Sequence, residues 1–328
     1  MISFTCNICG FANTLDEIPW EPPTCSGCRS NVRMRALVYL LSVELYGQPL
    51  PLIRFSTNKE VRGCGLSDDL SYAVPLAKKF GYTNTFYDRE PYLDLTAAHP
   101  EQYGTYDFIL SSDVFEHIAP PVERAFDEAC RLLKPNGFLC ITVPSSPADA
   151  DTVEYYPDLF DYSLVEVDGE RLLVNRKKDG TTETHRNLEF HGGIGATLLM
   201  REFTQKDLAR KLKASGFSDV IFQAEHVAQN GILLHGNWAL PLVARKQRYA
   251  PLLTAAQLRE VKELELQSMV GMSAAASIAE SEIRITQLRS ENVALSRAMS
   301  ELEQRLRLAA NSRWLRFGNF LGLGPRLR

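Results

Sequence analysis

The sequence predicts an α/β fold, a doubly wound and mostly parallel sheet, between a small four-cysteine module and a C-terminal coiled-coil helix. From residue 50 onward, short apolar runs alternate with helical stretches, which is the pattern of βαβ units. Four cysteines near the start form two Cys-x-x-Cys pairs. Residues 252–310 contain no proline and carry a heptad pattern of apolar side chains.

Composition limits the class of protein. The chain has 328 residues, of which 45% are hydrophobic and 23% charged, as in ordinary globular proteins. Its formal net charge of -4 argues against a surface built to hold nucleic acid. Cys6, Asn7 and Cys9 interrupt the first residues, and no run of 18 apolar residues occurs, so we expect a cytoplasmic protein.

The first predicted domain, residues 1–48, is organised by cysteines. Cys6 and Cys9 form one pair, and Cys25 and Cys28 form the second after fifteen intervening residues. Two such turns can present four thiolates to one ion, so the spacing predicts a structural Zn²⁺ site. An iron–sulfur centre or a chance spacing are the alternatives, and a disulfide framework fits poorly because the cysteine count of 7 is odd.

A helix is predicted from residue 32 to residue 46, after the cysteine pairs. Its start is basic, because Arg29, Arg33 and Arg35 lie there. These arginines could bind an anionic ligand, or they could be the solvated start of the helix.

The second predicted domain, residues 49–248, begins with a glycine turn. Gly63 and Gly65 follow a short strand and precede a helix, which permits close backbone approach to a ligand at the carboxyl edge of the sheet. Ser67 occupies the third small position, so the full dinucleotide fingerprint is absent.

Acidic residues follow the next strands. Asp88 ends a strand about 25 residues after Gly63, where a carboxylate can accept both hydroxyls of a ribose, and Glu90 is a close rival. Asp94 follows a second short run, and Asp113 ends a continuous apolar strand that starts at Tyr106.

The stretches SSDVFEHI and ERAFDEACRLLKPNGFLCITVP resemble the class I (Rossmann-like) S-adenosylmethionine-dependent methyltransferases. The resemblance covers residues 55–145 well and residues 200–245 more loosely. It implies a seven-stranded sheet and S-adenosylmethionine as cofactor. Two features depart from the family: Asn136 replaces a glycine, and the stretch from Asp88 to Asp94 is too short for the usual helix.

The resemblance also implies roles for the residues at the strand ends. Asp113 would form the floor beneath the methyl group, and Asp94 would lie on the adenine side. Asp88 or Glu90 would bind the ribose. The methionine portion of the cofactor would be lined by Gly63, Gly65 and Ser67.

Two histidines are candidate bases for transfer to a hydroxyl. His117 lies in the segment that the family places beside the cofactor, where a role in orienting the loop is the alternative. His191 lies in residues 145–200, an insertion suited to an acceptor site. Glu116 is expected to be a surface or supporting carboxylate. Aromatic side chains of the insertion either pack or contact the acceptor: Tyr155, Tyr156, Phe160 and Tyr162.

The coiled coil of residues 252–310 predicts a homodimer whose strand direction stays open, with a helix folded back on its own domain as the alternative. The a positions are Ile278, Ile285, Asn292, Met299 and Leu306. The d positions are Ser281, Leu288, Leu295, Leu302 and Ala309. The basic aromatic tail, residues 311–328, is similar to endings of bacterial glycosyltransferases and surface-glycan enzymes. It predicts docking to glycan-assembly enzymes or to the inner face of the membrane, and a disordered end is the alternative.

These observations favour O-methylation of a sugar in a bacterial surface glycan, in polysaccharide biosynthesis, with a glycan or small-molecule acceptor. Two alternatives stay open. One is an RNA or protein methyltransferase whose zinc module and arginines recognise the acceptor, although overall acidity counts against nucleic acid. The other is a non-catalytic scaffold with a degenerate methyltransferase fold.

Overall fold

Short strands joined by helices and turns follow the alternation seen in the sequence. The computed structural model describes residues 1–191, 197–234, 236 and 238–247. Within these residues the strands β1 to β16 are, in chain order, Ile2–Thr5, Ala12–Leu15, Asn58–Leu66, Phe80–Thr85, Tyr106–Ser112, Leu133–Thr142, Ser145–Ser146, Val153–Glu154, Asp161–Val167, Glu170–Arg176, Thr182–His185, Phe190–His191, Thr197–Leu198, Arg201–Thr204, Asp219–Phe222 and Leu242–Arg245. The helices α1 to α4 are Val32–Tyr46, Leu70–Lys79, Glu123–Leu132 and Gln205–Ala214.

The central sheet is mostly parallel, as expected. Its strand order is β15-β16-β6-β5-β3-β4. Strands β3, β4, β5 and β6 run parallel, and β16 runs antiparallel to both of its neighbours. The carboxyl ends of the four parallel strands therefore meet at one edge, where open α/β sheets bind their ligands.

The expectation of seven strands is corrected to six among the described residues. The chain after β4 makes a single parallel bridge, between Phe86 and Tyr92. The Phe86 amide donates to Pro91 O at 2.8 Å, and the Leu93 amide donates to Phe86 O at 2.9 Å. A parallel edge strand needs a crossover of a dozen or more residues, and this segment is too short to supply one.

Side chains of the sheet alternate between two covered faces. Phe108 contacts Phe80 on one face, and an aromatic series continues through Phe55 to Tyr46 at the end of α1. On the other face, Ile109 belongs to a core cluster with residues of α3 and α4. The doubly wound arrangement is therefore present, and α1 is one of the helices that cover the sheet.

Helix α1 has the bounds that the sequence predicts, because both ends are capped. The Asn31 side chain accepts from the Met34 amide at 3.0 Å, and Gly47 ends the helix with a φ of 71°. Near its end, Glu44 accepts two hydrogen bonds from Arg245 of β16, at 2.6 and 2.7 Å. The cysteine-rich segment thereby belongs to the same compact unit as the sheet.

The insertion after β6 builds small antiparallel sheets. Strands β9, β10 and β11 form a three-stranded meander, and β12 pairs with β13. The predicted coiled coil, the tail and the glycines after His191 lie outside the described residues. None of the described helices is long and apolar enough to cross a membrane.

Candidate active site and cysteine cluster

The four cysteines of the two Cys-x-x-Cys pairs converge. Their sulfurs all lie within 4.8 Å of one another. Cys6 Sγ is 3.7 Å from Cys28 Sγ, and Cys9 Sγ is 3.5 Å from Cys25 Sγ. None of them forms a disulfide.

Two tight turns produce this convergence. The Gly10 amide donates to Cys6 O at 2.8 Å, and the Arg29 amide donates to Cys25 O at 2.9 Å. Gly10 and Arg29 follow the second cysteine of each pair and have positive φ values of 78° and 66°. Each pair therefore makes the same sharp turn, with a left-handed residue directly after it.

The cluster fits a tetrahedral metal ion. At the usual Zn–S distance of about 2.3 Å, two sulfurs of such a site are roughly 3.8 Å apart, close to the two distances found here. Asn13 Nδ2 donates to Cys25 Sγ at 3.6 Å, as expected for groups that support a thiolate. Arg35 beside the cluster is fully buried and donates to Thr24 Oγ1, Ser30 O and Gly231 O.

The three arginines at the start of α1, which were candidates for binding an anion, have different surroundings in the structure. Arg35 is a structural residue that ties the cysteine turns to the chain near Gly231. Arg33 forms an ion pair with Asp113, at the carboxyl end of β5. Arg29 alone is exposed.

The predicted glycine turn is the carboxyl end of β3. A Cβ on Gly63 would lie 2.2 Å from the Phe108 ring, and one on Gly65 would lie 2.0 Å from the Tyr82 hydroxyl. Core packing therefore requires glycine at both positions. Ser67 is exposed, has a φ of 58°, and its amide donates to Thr85 O at 2.8 Å. It adopts the left-handed conformation that glycine would take more easily.

Asp68, next to this turn, is a buried carboxyl group that the sequence analysis did not single out. Its Oδ1 accepts from the Tyr72 hydroxyl at 2.8 Å, and its Oδ2 accepts from the Tyr82 hydroxyl. Burial raises the pKa of Asp68 to about 7, although the hydrogen bonds from Tyr82 and Tyr72 lower it.

The three other predicted acids lie at the edge beyond β4. Asp88 and Glu90 are exposed. Asp88 contacts Arg89, and Glu90 Oε2 accepts from the Tyr92 amide at 3.0 Å. Asp94 Oδ1 accepts from the Thr96 amide at 2.8 Å, so this carboxylate is already oriented.

Asp113 follows β5 in a strained conformation. It has a φ of 51°, and its amide donates to Thr142 O at 2.8 Å. Its Oδ2 pairs with Arg33, whereas its Oδ1 is buried and has no hydrogen-bond partner among the described residues. A buried acceptor without a partner is uncommon, so a ligand that donates a hydrogen bond fits here.

The two candidate histidines come together although 74 positions separate them. The rings of His117 and His191 are perpendicular, with centroids 5.2 Å apart. His117 Nδ1 lies 2.9 Å from Leu198 O, so it carries the proton and leaves Nε2 as an acceptor. Burial lowers the pKa of His117, which keeps its ring neutral.

Of the two roles expected for Glu116, a surface or a supporting carboxylate, the structure excludes the surface one. It is fully buried, and burial raises its pKa to about 8. Neither carboxylate oxygen has a hydrogen-bond partner among the described residues, and Oε1 lies 3.7 Å from His117 Nε2. Its burial had no signal in the sequence beyond its place beside His117.

A cavity of about 790 Å³ lies between the insertion and the start of α3. Two of its aromatic side chains, Phe160 and Tyr162, are half exposed, at 58% and 40%. Burial raises the pKa of Tyr162, and the charges of Tyr87 and Asp94 raise it further. The cavity lining also includes Thr96, Pro120, Arg124, Asp158, Lys177 and Lys178.

Comparison with known proteins agrees with this geometry. Residues 63–220 match the family model described as a methyltransferase domain. No curated protein matches the chain.

Solved structures also share similarity with the chain. A 1,6-didemethyltoxoflavin-N1-methyltransferase from Burkholderia thailandensis is 17% identical, with 66% of this chain and 78% of that chain covered and a TM-score of 0.38. A sugar N-methyltransferase from Streptoalloteichus is 11% identical, with 67% and 89% covered and a TM-score of 0.38.

The matched domain spans the glycine turn, the acidic strand ends and the histidine segment. Together with the mostly parallel sheet, it accounts for the main body of the molecule. Residues 63–220 are therefore a methyltransferase domain, carried on the mostly parallel sheet that is typical of class I S-adenosylmethionine-dependent methyltransferases.

Proposed function

We propose that the enzyme methylates an oxygen on a sugar of a bacterial surface glycan. The observation that carries the proposal is the meeting of His117 and His191 after the carboxyl end of β5, with an imidazole nitrogen left free. Transfer to a hydroxyl benefits from such a neutral acceptor, because the oxygen must lose its proton. A cavity whose lining begins at Ala119, two residues after His117, offers the aromatic faces of Phe160 and Tyr162, on which a sugar ring can pack.

The cofactor would lie along the carboxyl ends of β3, β4 and β5. Asp113, with its unpartnered Oδ1, is suited to hold the donor groups near the methyl centre. The backbone at Gly63, Gly65 and Ser67 would line the methionine portion, and Asp94 would lie on the adenine side. The ribose would be held by Asp88 or Glu90, of which Asp88 contacts Arg89 and Glu90 accepts from the Tyr92 amide through one oxygen.

In the transfer step, a lone pair of the acceptor oxygen attacks the sulfonium methyl carbon. The carbon–oxygen bond forms as the carbon–sulfur bond breaks, and its electron pair stays on sulfur as S-adenosylhomocysteine. The hydroxyl proton passes to His117 Nε2 or to His191. The protein otherwise aligns the acceptor with the methyl group and excludes water.

The cysteine cluster is proposed to hold one structural Zn²⁺. Four thiolates leave no coordination position open for a substrate, so the ion would fold the turns before α1. Cys25→Ser should remove stoichiometric zinc, measured by elemental analysis, whereas Cys130→Ser, outside the cluster, should retain it. Full zinc content in Cys25→Ser would contradict this assignment.

The surroundings of Arg33 and Arg35 disfavour the RNA or protein alternative. Recognition of such an acceptor by the zinc module required exposed arginines, and Arg35 is buried while Arg33 pairs with Asp113. The scaffold alternative assumes a degenerate methyltransferase fold, and cofactor binding separates it from an enzyme.

The test is methyl transfer from labelled S-adenosylmethionine to a panel of nucleotide-linked sugars and short oligosaccharides. His117→Ala and His191→Ala should each slow transfer by about 10²-fold or more with cofactor binding retained, the usual effect of a positioned base. His99→Ala, an exposed histidine elsewhere, is the matched control. Transfer to RNA or protein only, or a loss below tenfold in both variants, would contradict the proposal.

A further inference from the structure

We propose that Glu116, His117 and His191 bind one divalent cation of the kind that prefers nitrogen and oxygen ligands, such as Mn²⁺. The cation would hold hydroxyl oxygens of the acceptor. The contact of the cation with the acceptor rests on the proposed function, whereas binding of the cation does not.

The three side chains supply two imidazoles and one carboxylate at metal-site distances. One ligand atom from each lies within 4.8 Å of the other two. The closest measured pair, Glu116 Oε1 and His117 Nε2, is 3.7 Å apart. Two ligands at about 2.1 Å from a metal ion are roughly 3.0 to 3.4 Å apart, so small side-chain movements close the site.

The hydrogen bonding of His117 is that of a metal ligand. Its Nδ1 donates to Leu198 O at 2.9 Å, which fixes the ring and leaves the lone pair of Nε2 facing Glu116. Metal-bound histidines usually donate their other ring nitrogen to a backbone carbonyl or carboxylate in this way.

Glu116 lacks the partners that a buried carboxylate needs. Both oxygens are buried and unpartnered among the described residues. Two arginines lie near enough to affect its charge, but neither donates a hydrogen bond to it: Arg33 pairs with Asp113, and Arg201 donates to Glu154 and to Phe115 O. A cation at the histidines would give the Glu116 oxygens the direct partner that they lack.

Two histidines and one carboxylate occupy only part of a metal ion's coordination sphere. The open positions would accept adjacent hydroxyls of a sugar and favour ionisation of the one that is methylated, with its proton passing to water. In this form of the mechanism His117 and His191 are ligands, and the cation replaces their direct role as bases, while methyl transfer to a sugar hydroxyl stays as proposed.

The experiment is titration of the full-length, zinc-replete protein with Mn²⁺, followed by calorimetry and by the loss of the free-Mn²⁺ electron paramagnetic resonance signal. Mn²⁺ is chosen because the four-cysteine cluster prefers softer ions. We expect one Mn²⁺ per chain, with Kd raised at least tenfold in Glu116→Gln and in His191→Ala. Glu189→Gln is the matched control, since Glu189 Oε1 lies 4.0 Å from His191 Nε2 but outside the cluster.

His191 is 38% exposed in its side chain, so His191→Ala should fold even where the buried Glu116→Gln does not. No Mn²⁺ uptake by the wild type, or equal uptake by wild type and His191→Ala, overturns the inference. S-adenosylmethionine binding is measured on the same samples. Cofactor binding without Mn²⁺ uptake rejects the cation alone, whereas failure to bind cofactor counts against the proposed function and leaves the Mn²⁺ result to stand by itself.

Discussion

At the scale of single residues, the carboxyl end of β3 combines a buried acid with a strained turn. Asp68 sits behind Gly65, held by the hydroxyls of Tyr72 and Tyr82, with Asp69 as the other charge near it. The same few residues thus set both the shape of the cofactor turn and its sensitivity to pH.

Asp68 should make the protein less stable as pH rises. Its pKa is about 7 in the folded protein and about 3.9 in an unfolded chain. Between these values the unfolded chain has lost a proton that the folded chain keeps, so the free energy of unfolding falls with rising pH. In denaturant unfolding, the free energy of unfolding of Asp68→Asn relative to that of the wild type should therefore increase by more than about 1 kcal/mol between pH 5 and pH 8. The exposed control variant Asp179→Asn should show no such increase. Parallel pH profiles for Asp68→Asn and the wild type would show this assignment to be wrong.

Ser67 adopts a left-handed backbone that disfavours side chains. Ser67→Gly should raise the free energy of unfolding by up to about 1 kcal/mol and retain cofactor binding, because the contacts of the turn are made by the backbone. Ser67→Val should lower it, since a branched side chain tolerates this conformation poorly. Thermal unfolding of both variants beside Ser67→Ala checks the order, and a less stable glycine variant would argue against strain at this residue.

At the scale of elements, α1 joins the cysteine cluster to the sheet. It starts just after the second Cys-x-x-Cys turn, places Arg33 against Asp113, and ends with Glu44 on Arg245. A disturbance of the cysteine turns is therefore expected to reach the cofactor side of the sheet.

Removal of zinc should loosen α1 before the sheet. Chelation of the proposed ion should increase amide hydrogen exchange first in β1, β2 and the start of α1, because the ion replaces a hydrophobic core there. Strand β6 should stay protected under the same conditions. Equal exchange with and without chelator in the cysteine segment would contradict a structural ion.

Local signals predicted most elements. Helix α1 was predictable at both ends because Asn31 and Gly47 cap it, and β5 and β6 because they are continuous apolar runs. The prediction of a seventh strand came from the family resemblance and was wrong, although the sequence carried a signal against it, because the stretch from Asp88 to Asp94 is too short for the usual helix. The spacing of the cysteines is enough to predict their cluster. The contact between His117 and His191 was not predictable, because it depends on how the insertion packs.

At the scale of the whole molecule, we propose that the coiled coil predicted for residues 252–310 makes the protein a homodimer. Leu288→Asp together with Leu295→Asp would place charges at two adjacent d positions and should convert a dimer to a monomer in light scattering of the full chain. The surface pair Glu301→Gln with Arg305→Gln is the control. A wild type that is monomeric at tens of micromolar would refute the homodimer.

The central claim is that this chain binds S-adenosylmethionine along the carboxyl ends of β3, β4 and β5. Calorimetric titration of the zinc-replete protein with S-adenosylmethionine and S-adenosylhomocysteine tests it most directly. The account predicts micromolar binding, weakened at least tenfold, about 1.4 kcal/mol, by Asp94→Ala and by Asp113→Ala but not by Asp179→Ala. Absence of binding by the folded wild type, or equal affinity in all variants, would contradict it.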